Sequence, residues 1–256
     1  MTTINPTFTR LELKRIFRDP VGLFFTAVLP AFMYVIFGAT QSYKDESAGN
    51  GNVAMWIMVS MAAYGAVTAT TSIGGLAAVE KMQGWGRQLG LTPMRDSTFV
   101  ASKAATALIV AAIPIALIYG IGLLTGAKGE TRAWVLSGLI VLAGGAVFAL
   151  YGLAVGLAFR SENAVGAASG ALVILAFLGN VFVPLSGTLL DIARFTPLYG
   201  YVSLARRPLT EGYLITQQGA APELEPLWVS VTNLAVWGVV FAVVAVLLVR
   251  RGRGRQ

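Results

Sequence analysis

The sequence predicts an all-α polytopic membrane protein, a single transmembrane domain over residues 1–256, and three observations predict it. Six apolar stretches contain no Lys, Arg, Asp or Glu. Each is long enough to cross a hydrocarbon core of about 30 Å. Hydrophobic residues make up 56% of the chain and charged residues only 12%, about half the usual share in soluble proteins. The predicted transmembrane helices are 21–39, 53–79, 104–127, 133–159, 163–184 and 227–249.

The basic residues predict the orientation of these spans. Of the 19 Lys and Arg residues, 13 lie before span one, between spans two and three, between spans four and five, or after span six. The positive-inside rule therefore predicts a multi-pass protein of the cell membrane with both termini in the cytoplasm. We read the basic end of the chain as an anchor to anionic membrane lipids, not as a nucleic-acid site. Its arginines are Arg250, Arg251, Arg253 and Arg255.

The residues that are missing exclude several classes of enzyme. The chain contains no His and no Cys, which excludes disulfides, His or Cys zinc sites and histidine bases. No Lys follows a Gly, so the phosphate-binding loop of P-loop ATPases is absent. All aspartates lie at or beyond the ends of the spans, which argues against an intramembrane aspartyl protease. We expect no catalytic residue, no cofactor and no metal in this chain.

Residues 4–19 are predicted to form an amphipathic helix on the inner membrane surface. The basic stripe consists of Arg10, Lys14 and Arg18, and the apolar side of Leu13, Ile16 and Phe17. Asp19-Pro20 then predicts a bend, because Pro disfavours helix at the preceding residue. An ordinary basic flank that fixes topology is the alternative.

The connection 80–102 is too long to be a simple turn. It mixes charged residues with exposed apolar ones and is interrupted by glycines and Pro93. This pattern predicts a short amphipathic helix, a Thr-Pro turn and a new helix whose N-cap is Asp96 or Ser97. Exposed apolar side chains on a small cytoplasmic element favour a docking partner. A helix resting on the membrane is the alternative.

The segment 184–208 is predicted to be an external re-entrant hairpin. Pro184, Pro197 and Pro208 divide it into two apolar pieces, each too short to cross the membrane. Pieces of about ten residues at membrane depth are typical of re-entrant or interfacial helices. The polar remainder, 210–226, is predicted to be an exposed loop.

Small and uncharged polar residues within the spans favour contacts between helices. Spans four and five carry the pairs Gly152/Gly156 and Gly166/Gly170, whose spacing allows close helix packing. We favour packing inside the chain over a subunit interface for both pairs. Helix-to-helix hydrogen bonds are the expected role of Asn180 and Asn233. Asn180 is also a candidate for lining a substrate path.

Three stretches resemble a known family. They are 87–103, from Arg87-Gln-Leu-Gly-Leu-Thr-Pro to Lys103; 182–206, with Phe182-Val-Pro-Leu-Ser and Phe195-Thr-Pro-Leu-Tyr; and the turn Arg160-Ser-Glu-Asn163. Together with the six spans, the surface helix and the external hairpin, they resemble type-2 ABC transporter permeases of the drug-export branch. The resemblance covers nearly the whole chain.

The resemblance implies partners and functional residues. The chain would pair with two ABC ATPase subunits, which bind the ATP, and with a second permease copy or homologue. Spans one and five would line the dimer seam and the export path of an amphiphilic cargo. The residues that would contact the ATPase are Gly84, Trp85, Arg87, Gln88, Leu89, Leu91, Thr92, Pro93, Arg95 and Asp96, with a second turn at Arg160, Ser161, Glu162 and Asn163. The external gate would include Pro184, Asp191, Pro197, Tyr199 and Tyr201.

Two other functions remain open from the residues alone. A self-contained channel or scaffold would need no ATPase. A lipid-acting enzyme would need acid–base groups near the membrane surfaces. The residues that offer such groups are Glu80, Asp96, Glu162 and Asp191, which show no paired spacing.

Overall fold

The computed structural model describes the backbone of residues 6–80, 96–215 and 223–253, and the side chains of these ranges outside 96–101 and 252–253. Helices form most of this part of the chain. They are α1 (Pro6–Phe17), α2 (Pro20–Ala39), α3 (Val53–Glu80), α4 (Asp96–Thr125), α5 (Thr131–Phe159), α6 (Glu162–Leu178), α7 (Gly187–Ala193), α8 (Pro197–Thr210) and α9 (Leu227–Arg253). Within the predicted loop 210–226, β1 (Tyr213–Leu214) pairs with β2 (Glu223–Leu224) in antiparallel register.

The membrane class predicted from the sequence is confirmed. In the described ranges five helices are long and apolar enough to cross a membrane: α2, α3, α4 from Ser102, α5 and α9. The sixth predicted span, 163–184, corresponds to α6, which is apolar but has 17 residues, or about 25 Å of helix. That α6 crosses the membrane stays a prediction.

Helix α3 is the centre of the bundle, and α4, α5 and α6 pack around it. All but two of its residues from Ala54 to Glu80 are buried, with Ser72 and Leu76 the exceptions. Its Thr70 hydroxyl donates to the Gly145 carbonyl of α5 at 2.7 Å. This is the helix-to-helix role expected for uncharged polar residues in a span.

Glycines bring the backbones of α3 and α5 together. A Cβ at Gly152 would lie 1.9 Å from the carbonyl oxygen of Thr71, and one at Gly156 would lie 2.4 Å from that of Gly75. Packing inside the chain is therefore confirmed for this pair. The pair on α6 differs, because a Cβ at Gly166 or Gly170 would meet no atom of the described chain within 4 Å. Internal packing was the wrong expectation there.

Hydrogen bonds join three connecting segments at one end of the bundle, and we call this end the outer end. The backbone N–H of Asn50 donates to Leu209 at 2.8 Å, and that of Asn52 donates to Lys128 at 3.0 Å. The Asn52 side chain also donates to the Gly126 carbonyl at 2.8 Å. The connections α2–α3, α4–α5 and the end of α8 therefore form one joined surface.

The opposite, inner end contains the other helix termini. Ala78 of α3, Leu157 of α5 and Ala245 of α9 form one buried cluster, against which Leu248 and Val249 pack. The last turns of these helices therefore lie together. The turn between α5 and α6 and the described end of α9 share this side of the bundle.

Helix α1 packs on this inner end. Leu13 and Ile16 contact the core, as the predicted apolar side requires, but Phe17 is 58% exposed. The predicted bend lies at Asp19, whose carboxylate accepts from the Gly22 N–H at 2.9 Å and starts α2. Asp19 is thus an N-cap, and its non-helical backbone angles (φ −100°, ψ 86°) separate α1 from α2.

Gly152→Ala should destabilise the protein, whereas Gly166→Ala should not. Both changes favour helix by up to about 1 kcal/mol, but only the first places a methyl group against a backbone carbonyl. Overpacking of this kind costs roughly 1–3 kcal/mol. Thermal unfolding in detergent should show a lower midpoint for Gly152→Ala and an unchanged or higher one for Gly166→Ala. Equal midpoints would contradict the close approach of α3 and α5.

Candidate functional sites at the two ends of the bundle

Helix α6 ends at Leu178, although the apolar sequence continues to Leu190. Asn180 adopts a left-handed conformation with φ of 61°, and Pro184 has no N–H. Residues 179–182 are buried without being helical. Carbonyls released in such a place need partners from elsewhere in the protein.

Arg206 of α8 supplies these partners. Its guanidinium donates to the Asn180 carbonyl at 2.7 Å and to the Val181 carbonyl at 2.9 Å. It also donates twice to the Ser60 hydroxyl, at 2.9 and 2.6 Å. The residue is only 4% exposed. One side chain therefore joins α8, the end of α6 and α3.

The electrostatic environment of Arg206 is unusual for a buried cation. In the described part of the chain it forms no ion pair. Its guanidinium carbon lies 3.7 Å from the centre of the Trp56 ring, which supplies a cation–π interaction. Burial lowers the pKa of Arg206 to about 9, so the group is still protonated at pH 7. A cavity of about 20 Å³ beside it, also lined by Asn180 and Ser230, has room for one water.

Helices α7 and α8, residues 187–210, form an outer hairpin whose turn descends along α9. Asn233 donates to the Arg194 and Thr196 carbonyls at 2.7 and 3.1 Å, and Trp237 donates to the Phe195 carbonyl at 3.0 Å. At about 1.5 Å per residue, Asn233 and Trp237 lie roughly 9 and 15 Å along α9 from Leu227. The turn of the outer hairpin thus lies up to roughly 15 Å along α9 from its first residue; that it enters the membrane stays a prediction.

Two buried tyrosines hold α8 in place. The Tyr201 hydroxyl donates to the Val141 carbonyl of α5 at 2.7 Å, and Gly144 provides the space for its ring. The Tyr199 hydroxyl donates to the Glu225 carboxylate. Burial and the adjacent Glu225 raise the pKa of Tyr199, so it remains a donor.

Arg194 connects the outer hairpin to the β1–β2 segment. Its guanidinium contacts Glu223 at 2.5 Å, Asp191 at 3.0 Å and Glu225 at 3.4 Å. The Ser230 hydroxyl also donates to Glu225, at 3.2 Å. The turn of the outer hairpin is therefore held both by the ion pairs of the Arg194 side chain and by neutral hydrogen bonds to its carbonyls.

The predicted gate residues fall on this hairpin or its approach. Pro184 is half-buried before α7, Pro197 opens α8, and Asp191 is exposed beside Arg194. The Asn180 amide oxygen accepts from the Leu185 N–H at 2.8 Å, which shapes the turn; its place on a substrate path stays a prediction.

Sequence reasoning missed Arg206. The signal was a basic residue within an apolar piece bounded by prolines.

A second polar site lies at the inner end. The Lys103 ammonium is 2.6 Å from both Glu12 and Glu80, and Arg15 pairs with Glu80. We call these four residues the inner ion network. Lys103 and Glu80 are 7% and 6% exposed. The network joins α1 to the end of α3 and the first turns of α4.

Most of the predicted ATPase contacts lie outside the described residues, since Gly84 to Arg95 belong to 81–95. Asp96 begins the described part of α4. The second predicted contact, Arg160 to Asn163, is a tight turn between α5 and α6. Arg160 is left-handed with φ of 56°, and its N–H donates to Gly156 at 3.0 Å. Its side chain, like those of Glu162 and Asn163, is exposed.

Comparisons with known proteins agree with this architecture. Residues 39–247 match the model of the ABC-2 family transporter protein. A protein of Bacillus subtilis (strain 168), named "Putative transport permease YvfS", is 23% identical over 199 residues, which cover 75% of this chain and 80% of that protein. The family match includes α3 to α8 and most of α9.

Arg206→Gln should loosen the outer hairpin, whereas Arg207→Gln should have a small effect. The first change leaves two buried carbonyls without their charged donor, at a cost of roughly 3 kcal/mol. Among the described residues, the Arg207 side chain donates one hydrogen bond, to the Glu225 carbonyl. Because the chain has no cysteine, Val181→Cys would give it a single maleimide-reactive thiol at a position that is buried in the native protein. The rate of maleimide labelling then measures how readily the outer hairpin opens. Faster labelling is expected with Arg206→Gln only. Equal rates in both backgrounds would contradict the role of Arg206.

Proposed function

Since this chain belongs to the ABC-2 family of transporter proteins, we propose that it is the membrane-spanning permease subunit of an ATP-driven exporter. A separate ABC ATPase would bind and hydrolyse the ATP, and the permease would carry no catalytic residue and no cofactor. The cargo would be an amphiphilic or hydrophobic molecule that leaves across the cell membrane. Multidrug efflux is the transport class that its sequence resembles.

The observation that supports this proposal is that the residues flanking 81–95 and the α5–α6 turn lie at the same end of the bundle. The end of α3 and the beginning of α4, which flank 81–95, are joined by Glu80 and Lys103. The α5–α6 turn lies at the same end, because Gly75 of α3 contacts Val165 and Gly156. One ATPase surface could therefore contact 84–96 and 160–163 together. We propose that this end is cytoplasmic, with both termini.

A second copy of the permease would cover α6 and α2. The exposed side of α6 carries Gly166 and Gly170 near the inner end, then Ile174 and Phe177. Small residues allow two membrane helices to approach closely. Helix α2 exposes an aromatic face with Phe24, Phe25, Phe32 and Phe37. Both helices would line the dimer seam.

This arrangement also supports the nature of the cargo and the place of the gate. The exposed faces of α2 and α6 within the membrane carry apolar side chains and no charge, so the seam suits an amphiphile. Helix α6 ends below the outer end, and the outer hairpin covers it through Arg206. We therefore propose the outer hairpin as the gate through which cargo leaves.

Leu89→Glu or Leu91→Glu should uncouple the permease from its ATPase. A charge at an apolar docking residue opposes burial at an interface, while membrane insertion should stay intact. ATP hydrolysis by the purified complex in lipid nanodiscs should lose its dependence on the permease. Leu224→Glu, at an exposed outer position, is the matched control and should behave as wild type. Full coupling in both loop variants would show that the docking assignment is wrong.

Gly170→Leu should weaken the permease dimer, whereas Gly120→Leu should not. Neither glycine has a neighbour within 4 Å in the described chain, so both variants should fold. Only Gly170 lies on the proposed seam, where a large side chain would separate the helices. Single-molecule photobleaching in lipid vesicles should count fewer two-copy particles for Gly170→Leu. Unchanged counts would remove α6 from the interface.

A further inference from the structure

We propose that a groove between the outer hairpin and α9 binds one molecule of phosphatidylethanolamine from the surrounding membrane. In this proposal the lipid is a fixed component of the protein and not its cargo. Its acyl chain lies along α9, its phosphate meets Arg194, and its ammonium group meets Asp191 and Glu223. The inference concerns this chain alone and does not depend on an ATPase.

The groove has the size and the lining of a ligand site. Its volume is about 680 Å³, within the range of roughly 300–1,000 Å³ that is usual for such sites. It follows α9 from Trp228 to Val240, a length of roughly 18 Å at about 1.5 Å per residue. Most of its lining is apolar, and Phe195, Trp228 and Trp237 supply aromatic rings. The groove is therefore elongated and mainly apolar, which suits an acyl chain.

Hydrogen bonds fix the two walls of the groove. The Asn233 amide donates to the Arg194 and Thr196 carbonyls at 2.7 and 3.1 Å. The Trp237 indole N–H donates to the Phe195 carbonyl at 3.0 Å. These bonds hold the turn of the outer hairpin, which forms one wall, against α9, which forms the other. A site formed in advance needs little rearrangement when its ligand binds.

The exposed side chains of the groove suit membrane lipid better than a second copy of the chain. Phe195, Trp228 and Val236 are 80%, 67% and 52% exposed. Helix α9 packs on α5 and α8, whereas the proposed seam lies on α2 and α6. In that arrangement the groove faces the bilayer, where acyl chains are the apolar molecules at hand.

The charges at the outer end of the groove fit a headgroup that contains a cation. Arg194 pairs with three carboxylates, so this group has a net charge of −2. The three belong to Asp191, Glu223 and Glu225. Arg207, which donates to the Glu225 carbonyl, adds one cation and leaves the balance negative. Such surroundings disfavour an anionic lipid and favour a lipid with a positive group.

The hydrogen-bonding groups favour a primary ammonium over a quaternary one. The Asp191 and Glu223 side chains are 67% and 52% exposed, and each directs one carboxylate oxygen to Arg194. Their second oxygens can accept from the ammonium of phosphatidylethanolamine, which has three N–H donors as lysine has. The trimethylammonium group of phosphatidylcholine has none. Three of the five N–H groups of Arg194 donate to carboxylates, and the other two can donate to the phosphate.

Trp228 lies at the level that a headgroup would occupy. It is the second residue of α9 and lines the groove together with Glu225 and Arg194. Tryptophan is enriched where the acyl region of a membrane meets the headgroups. Its ring also offers a cation–π interaction to the ammonium. The polar end of the groove and its apolar part are therefore ordered as the headgroup and the acyl chain of a lipid are.

Native mass spectrometry of the full-length chain in mild detergent tests the groove. The probes are synthetic phosphatidylethanolamine, phosphatidylcholine and phosphatidylglycerol with the same acyl chains, added in equal amounts. Val236→Trp places a large ring in the groove. Val246→Trp is the matched control, because Val246 is similarly exposed on α9, at 49%, and lies outside the groove lining.

We expect the unvaried chain and Val246→Trp to retain one phosphatidylethanolamine per chain and Val236→Trp to lose it. Retention of this lipid by Val236→Trp would overturn the inference, as would equal retention of all three lipids by the unvaried chain. A fall in mass from two chains to one in Val236→Trp, with the lipid retained, would show that a second copy covers the groove. That result would overturn the inference as well.

Two paired changes test recognition of the headgroup. The first pair is Asp191→Asn with Glu223→Gln, and the control pair, Asp45→Asn with Glu46→Gln, removes the same charge from other exposed outer residues. The first pair should lower the preference for phosphatidylethanolamine over phosphatidylglycerol about tenfold, the effect of losing one hydrogen bond to a charged group. The control pair should leave that preference unchanged.

The headgroup preference decides the matter if Val236→Trp fails to fold, because it compares lipids on one folded protein. A preference that both pairs leave the same would overturn the inference. The ATPase takes no part in these measurements, so their failure would leave the proposed function untouched.

Discussion

The fold depends on how buried backbone carbonyls are satisfied where α6 stops. Buried carbonyls at such a place need donors from the chain or from an enclosed water. Arg206 provides them to Asn180 and Val181 and takes Ser60 as a further acceptor. This requirement places α8 against α3 and α6. The short α7 and the turn of the outer hairpin, which connect α6 to α8, follow from that position of α8. The outer hairpin is therefore part of the bundle's core.

Buried charged groups are stabilised differently at the two ends of the bundle. The outer site holds one cation among neutral acceptors and an aromatic ring. The inner site balances two carboxylates against two cations. Between them, α3 and α5 meet through glycines and a threonine hydroxyl. The result is a well-buried central helix, α3, with parts of α2, α6 and α9 left exposed.

The sequence predicts the membrane class because charge is absent from long apolar runs, and prolines predict the hairpin. It does not predict the end of α6 at Leu178, because the stop signal Gly179-Asn180 lies within an apolar run that continues to Leu190, and glycines also occur inside the other spans. Nor does it pair Arg206 with Ser60, 146 residues away, or Lys103 with Glu12, 91 residues away. The two glycine pairs have the same spacing, yet only Gly152/Gly156 faces a neighbour. Tertiary packing determines which face of a helix is covered, and the spacing of residues along the sequence does not reveal it.

The most direct test of the central claim is the composition of the complex in native membranes. The tagged chain should be isolated in mild detergent and its partners counted by quantitative mass spectrometry. The account predicts P-loop ATPase subunits in equal number with permease subunits, two of each per particle. Recovery of the chain without any ATPase, with and without nucleotide, would contradict it. That result would favour a self-contained channel or scaffold.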